Sequence, residues 1–359
     1  MSPLTHARRT CSSALQLNND FLREFLRREI DAGSFPGAAW AVGSLSGLER
    51  EDAVGNAVAI PLRIAATSGT IYDCASITKP LITAALVLQA VAEGKIDLEG
   101  DFEGFPYRRL LTHTSGLTAW LPLYAKGDYL STILKHGREY EPGTRVVYSD
   151  LNFVLLHYAI TRALGDYVTA ARERILIPLG IEKDAMFRPE PQLLPRIAAT
   201  EYGQRFESAM CSARNDEFQG FRAGLIWGQT HDGNSHHHGG TAGNAGLFAT
   251  ARAVYRIAQA WGDGTLLPRE LVREATRNHT SGLQENRGLG WLLSAPDHVA
   301  TCMLSPRAFG HTGFTGTSVW IDPEGGKIMV LLTNRVHPCA TSVAMQKIRG
   351  EFHRLALSF

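Results

Sequence analysis

Residues 81–94 read LITAALVLQAVAEG, a helix-length run in which nearly every side chain is apolar. A helix that apolar on most of its faces has no side to show to water, so it must be central, with other elements packed around it. The chain has the means to do this. Its 359 residues suit one large domain or two interlocked ones, and 44% hydrophobic against 20% charged residues supports a sizeable core. Ala14–Gly33 has apolar residues at helical spacing and ends at glycine, which predicts an amphipathic helix. PGAAWAVGS, at 36–44, reads as a buried strand, and GTIYDCAS, at 69–76, as a short extended stretch leading into Ser76. Near the other end, SVWIDPEGGKIMVLLTNRV alternates, turns at DPEGG and alternates again, the pattern of a hairpin. A helix over ATSVAMQKIRGEFHRLAL closes the chain. Between Asp97 and Ala245 the pattern is of loops and short helices.

Strands near both ends with helices between them predict an α/β (α+β) fold. The expected division is a discontinuous sheet domain, 1–75 with 246–359, and a mainly helical domain, 76–245, with the active site between them.

Charge and cysteine usage exclude several function classes. A net charge of +1 offers no footprint for nucleic acid or an anionic membrane, and no uninterrupted apolar run of about 18 residues predicts a membrane span. The five cysteines are widely spaced with no CxxC pair, which argues against a disulfide framework or a zinc ribbon. The first twenty residues are broken by Ser, Gln and Asn and do not read as a secretory signal, so a cytoplasmic location is the expectation, with a periplasmic one as the alternative.

The apolar helix begins at CASITKP, where Ser76 precedes Lys79 by three residues. On a helix the two side chains share a face. A serine hydroxyl needs a base to become a nucleophile, and a lysine is one only if its amine loses its proton through burial or a neighbouring cation. The alternative for this tetrad is a serine that caps a helix and a solvated lysine. Of the seven lysines, Lys79 alone has a serine three positions earlier. Tyr148, in YSD before an apolar helix, is a candidate proton carrier, with core packing of Tyr148 and capping by Asp150 as the alternative. GHTGFTGTSVW, at 310–320, suggests a strand edge that a substrate can approach closely; the alternative is a ligand-free glycine turn. THDGNSHHHGG, at 230–240, holds four of the 13 histidines. Adjacent side chains diverge, so a metal site there is disfavoured against a loop lining the substrate entrance. Cys74 lacks an adjacent base and reads as structural.

Ser76-Ile-Thr-Lys79, Tyr148-Ser149-Asp150 and His311-Thr312-Gly313, in this order, resemble the motif set of the penicillin-recognising serine hydrolases, specifically the class C β-lactamase, DD-peptidase and family VIII esterase group. LLTHTSGL at 110–117 and AGNAGLFAT at 242–250 are similar to that group as well. The resemblance implies a β-lactamase/transpeptidase-like fold, an antiparallel sheet flanked by N- and C-terminal helices plus a mainly helical region. It implies that Ser76 is acylated, that Lys79 and Tyr148 share proton transfer, and that the backbone N–H groups of Ser76 and Phe314 bind the oxyanion. Asp150, His311, Thr312, Gly313 and Phe314 would contact substrate, and no metal or organic cofactor is required. The partner is then a small ester, amide or β-lactam; the oligomeric state stays open. Asp150 stands where the group usually has Asn, and His311 where it often has Lys. Both changes favour an esterase over a β-lactamase or DD-peptidase, with acyl transfer and a non-catalytic acyl-binding sensor as further alternatives.

Overall fold

In the computed structural model, which describes residues 21–358, the strand signals at the two ends of the chain meet in one seven-stranded antiparallel sheet. Its strands are β1 (Gly37–Ser44), β2 (Gly47–Val58), β3 (Ile64–Ala65), β4 (Leu292–Leu293), β5 (Phe309–Thr312), β6 (Ser318–Asp322) and β7 (Lys327–Thr333), in spatial order β3-β2-β1-β7-β6-β5-β4. The expected hairpin is β6–β7, with Asp322 opposite Lys327. β1 lies between β2 and β7, with Trp40 opposite Leu331 and Asp52.

Both faces of the sheet are covered, which is why β1 reads as a continuous apolar run rather than an alternating one. On β1 the residues Ala38, Trp40 and Val42 pack with Trp320, Met329, Leu331 and Phe352 on one face. Ala39 and Ala41 point the other way, into the main core with Val319, Val330 and Leu332. The first face is closed by α1, whose described part spans 21–31, and by the C-terminal helix α5 (Met345–Ala356). The start of the predicted N-terminal helix, 14–20, lies outside the described residues.

The apolar helix is α2 (Ala75–Ala92), and it is the centre of the main core. Leu81, Ile82, Leu86, Val87 and Leu88 are fully buried against α3 (Asp150–Leu164) and α4 (Ala251–Asp263). Among the described residues it is the one helix with the length and mean hydropathy, 1.5, of a membrane span, and 78% of it is buried by the rest of the protein. Its first turn is tight, Ala75–Ile77, and the next, Lys79–Ala84, is wide. Pro80 sits in the wide turn; its ring has no N–H and crowds the carbonyl four residues back, which opens the helix there. The four described cysteines, Cys74, Cys211, Cys302 and Cys339, are all free thiols.

Candidate active site

The turn into α2 is held in an unusual shape. Ala75 has φ +47°, in the left-handed region that a residue with a Cβ avoids at a cost of about 1–3 kcal/mol. Its N–H donates to Asp73 Oδ1 at 2.8 Å, and its carbonyl accepts from Thr78 Oγ1 at 2.7 Å. Ser76 follows directly, at the edge of a cleft of about 740 Å³.

Lys79 lies beneath Ser76, with no exposed surface. Its Nζ donates to Ser76 Oγ at 2.9 Å and to the Asn244 carbonyl at 2.9 Å, and pairs with Asp150 Oδ1 at 2.6 Å. The ammonium thus has two hydrogen-bond acceptors and one close counter-charge. Burial alone would pull the amine down, but the Asp150 charge, with Tyr148 beside it, outweighs this and holds it above its ordinary value. At rest the amine is charged and donates to the serine.

Tyr148 is placed by His113, from the THTSGL segment. The His113 Nδ1 accepts from the Ser149 N–H at 3.0 Å, and its ring packs on Tyr148 with centroids 4.6 Å apart. Burial holds His113 neutral. The Tyr148 hydroxyl is buried and faces Lys79 and Ser76, yet makes no well-formed hydrogen bond. Burial raises its pKa, partly offset by the Lys79 charge.

The third motif forms the facing wall. A Cβ on Gly313 would lie 2.7 Å from the Cys74 carbonyl and 2.1 Å from Thr317 Oγ1, so only glycine allows this approach to the turn that carries Ser76. Thr315 and Thr317 tie the two walls by donating to the carbonyls of Asp73 and Cys74, at 2.8 and 2.9 Å. Ser76, Tyr148, His311, Thr312, Gly313 and Phe314 all line the cleft. The Phe314 N–H donates to no other described group.

One expected substrate contact is placed differently, and a second lines the cleft without carrying charge. Asp150 is not among the cleft-lining residues; its carboxylate turns to Lys79, whose buried ammonium draws a counter-charge. His311 is not a cation. Its Nδ1 donates to the Thr312 carbonyl at 2.8 Å, and burial, together with Arg287 and Lys79, holds the ring neutral. The positive charge in the cleft comes instead from Arg287, Arg335, Lys347 and Arg349. These four carried no motif. Arg287 is paired with Glu285, whereas among the described residues Arg335 hydrogen-bonds the backbone carbonyls of Phe314 and Thr341.

The histidine loop does not line the cleft either. His231 meets Glu201 behind the wall, and His238 bonds the Thr241 carbonyl and the Tyr158 hydroxyl. Among the described residues no three His, Cys, Asp or Glu side chains gather as a metal site would require.

Comparison with known proteins settles the family. A family model described as Beta-lactamase matches residues 22–349. The chain belongs to the beta-lactamase family. As a member it is a serine hydrolase with the β-lactamase/transpeptidase-like fold. A protein named putative D-alanyl-D-alanine carboxypeptidase from Escherichia coli (strain K12) is 30% identical, the match covering 76% of this chain and 71% of that one. Two solved structures share the beta-lactamase-family fold. Simvastatin synthase (LovD) from Aspergillus terreus has a TM-score of 0.71 at 19% identity, covering 95% of this chain and 98% of that one. EstCE1, described as a hydrolase with promiscuous acyltransferase activity, has a TM-score of 0.70 at 16% identity, covering 97% and 98%.

The charge state of the site sets a pH dependence. Both groups able to take a proton from Ser76 hold their own protons at neutrality, because the pKa values of Lys79 and Tyr148 are raised. Activity is expected to keep climbing as pH rises above neutrality toward the raised pKa values of the pair. In Asp150→Asn the raising charge is gone and burial pulls Lys79 down, so the climb moves to lower pH. Profiles of kcat/KM against pH for the two proteins check this; superimposed curves count against it.

Proposed function

We propose that Ser76 is the nucleophile of a carboxylic ester hydrolase that works through an acyl-enzyme. In molecules whose Lys79–Tyr148 pair has given up one proton to solvent, the Ser76 oxygen attacks the ester carbonyl and its own proton passes into that vacated position of the pair. The new oxyanion is met by the N–H groups of Ser76 and Phe314, each such donor being worth about 10²–10³ in rate. The alcohol takes the proton back as it leaves. Water then repeats the cycle on the acyl group and frees Ser76.

The observation that carries the ester reading is the Lys79–Asp150 pair at 2.6 Å. Where the related motif has an asparagine amide, this chain has an acceptor-only carboxylate already engaged. No amide there donates to the side-chain carbonyl of a β-lactam, whereas a simple ester does not need that bond.

A second reading has its own observation. Arg335 and Lys347 in the cleft suit a substrate with a free carboxylate, which favours a D-amino-acid carboxypeptidase, the name its bacterial relatives carry. The experiment is a direct comparison of kcat/KM for p-nitrophenyl butyrate, nitrocefin and a peptide ending in D-alanyl-D-alanine. The expected order places the ester first and nitrocefin last. A leading peptide replaces the first reading with the second, and a leading nitrocefin removes both.

A further inference from the structure

Behind the two oxyanion donors runs a buried polar chain that proton transfer does not use. Asp73 is 2% exposed, and its carboxylate is shared between two backbone N–H groups. Oδ1 accepts from Ala75 at 2.8 Å and Oδ2 from His231 at 2.7 Å. The His231 ring donates through Nε2 to Glu201 Oε2 at 3.1 Å and stacks on the Phe314 ring, with centroids 5.5 Å apart and planes at 28°. Glu201, 1% exposed, uses its other oxygen to accept the Phe206 N–H at 3.0 Å, and the Phe206 ring also meets Phe314, at 4.6 Å. Arg335 completes the grip on Phe314, with its guanidinium 4.6 Å from the ring centroid and its Nε donating to the Phe314 carbonyl at 2.7 Å.

This chain touches both sides of the oxyanion hole. On one side, Asp73 holds Ala75 in its left-handed shape, and the Ala75 backbone aims the next peptide, whose N–H belongs to Ser76. On the other, His231 and Phe206 fix the ring of Phe314, whose N–H is the second donor. His231 joins the two sides, its backbone bound to Asp73 and its ring to Glu201 and Phe314.

We propose that Asp73, His231 and Glu201 are positioning residues that set the spacing of the two oxyanion donors, with His231 as the link. The proposal rests on the reading of Ser76 as nucleophile and of the Phe314 N–H as the second donor. Donors aimed at an oxyanion are useful only in register; a misplacement of about 1 Å costs about 10²-fold.

The test compares an oxoester with the matching thionoester. The two share the acyl group and the proton transfers. The thionoester, however, puts its developing charge on sulfur, a weak hydrogen-bond acceptor to which donors set for oxygen give little. Asp73→Asn keeps the size of the side chain but offers a single oxygen, so one of the two N–H groups faces an NH₂. The expected result is a loss of about 30–100-fold in kcat on the oxoester, with KM and the thionoester rate within about 3-fold of wild type. A second pair covers a misfolded Asp73 variant. His231→Phe keeps the ring on Phe314 and loses only the Glu201 bond, whereas His231→Ala loses both, so the oxoester-to-thionoester ratio should fall further in His231→Ala. Equal losses on both substrates, or an unchanged ratio, overturn the proposal and leave the chain as core scaffolding. Absence of Ser76-dependent turnover in the wild type is a separate failure, that of the nucleophile assignment, and overturns the positioning role with it.

Discussion

Ser76→Ala is expected to abolish covalent labelling by a fluorophosphonate and to lower ester turnover by about 10⁴–10⁶-fold, the range seen when a serine nucleophile is removed. The substitution deletes one oxygen at the edge of an open cleft, so it leaves no cavity in the core. Lys79 loses one of its two hydrogen-bond acceptors but keeps the Asn244 carbonyl and the Asp150 counter-charge, so its charge stays compensated. The fold should therefore survive with little change in melting temperature, and the loss should fall on chemistry alone. Intact-mass measurement of the probe adduct, with kcat on p-nitrophenyl butyrate, reads both effects. An adduct that persists in the variant places the nucleophile elsewhere.

The second large effect is a split between activity and stability. Tyr148→Phe is expected to lower kcat by about 10²–10⁴-fold, with KM within about 3-fold, because the phenol is the proposed proton carrier. The same change should leave the melting point equal or higher. The Tyr148 oxygen is buried without a hydrogen bond, and a buried unpaired polar atom costs about 1–3 kcal/mol. The ring that remains still packs on His113 and His311 and still lies under Lys79 and Arg287, at 5.0 and 5.4 Å from its centroid. A thermal melt beside steady-state kinetics checks the pair. A near-normal kcat removes Tyr148 from the mechanism, and a large fall in melting point shows that the hydroxyl has a structural partner.

What could be read in the sequence followed from repeating physical patterns. The all-round apolarity of α2 required burial, and the alternation around DPEGG required the β6–β7 pair. The three motifs marked residues that the fold brings to one cleft. The parts not legible have physical reasons too. β4 has only two residues, too few to alternate, and is defined by its partner β5. Asp150 was expected at the substrate, but a carboxylate one step from a buried ammonium answers to that charge first. His311 stands where the related group often has a lysine, and only the packing around it shows that its ring stays neutral. Arg335 and Lys347 reach the cleft from the chain beyond β7, and no local pattern distinguishes them from surface cations. Asn244 contributes its carbonyl alone, which any residue type has.

The burial of Lys79 separates two kinds of electrostatics within a few ångströms. Dissolved salt weakens interactions between charges it can surround, within a Debye length of about 8–10 Å near physiological ionic strength, and hardly touches those sealed from solvent. Arg335 and Lys347 stand in an open cleft and Lys79 has no exposed surface. Ionic strength therefore acts as a dial on how an anionic substrate is drawn in, while leaving the proton inventory beneath the serine where it was.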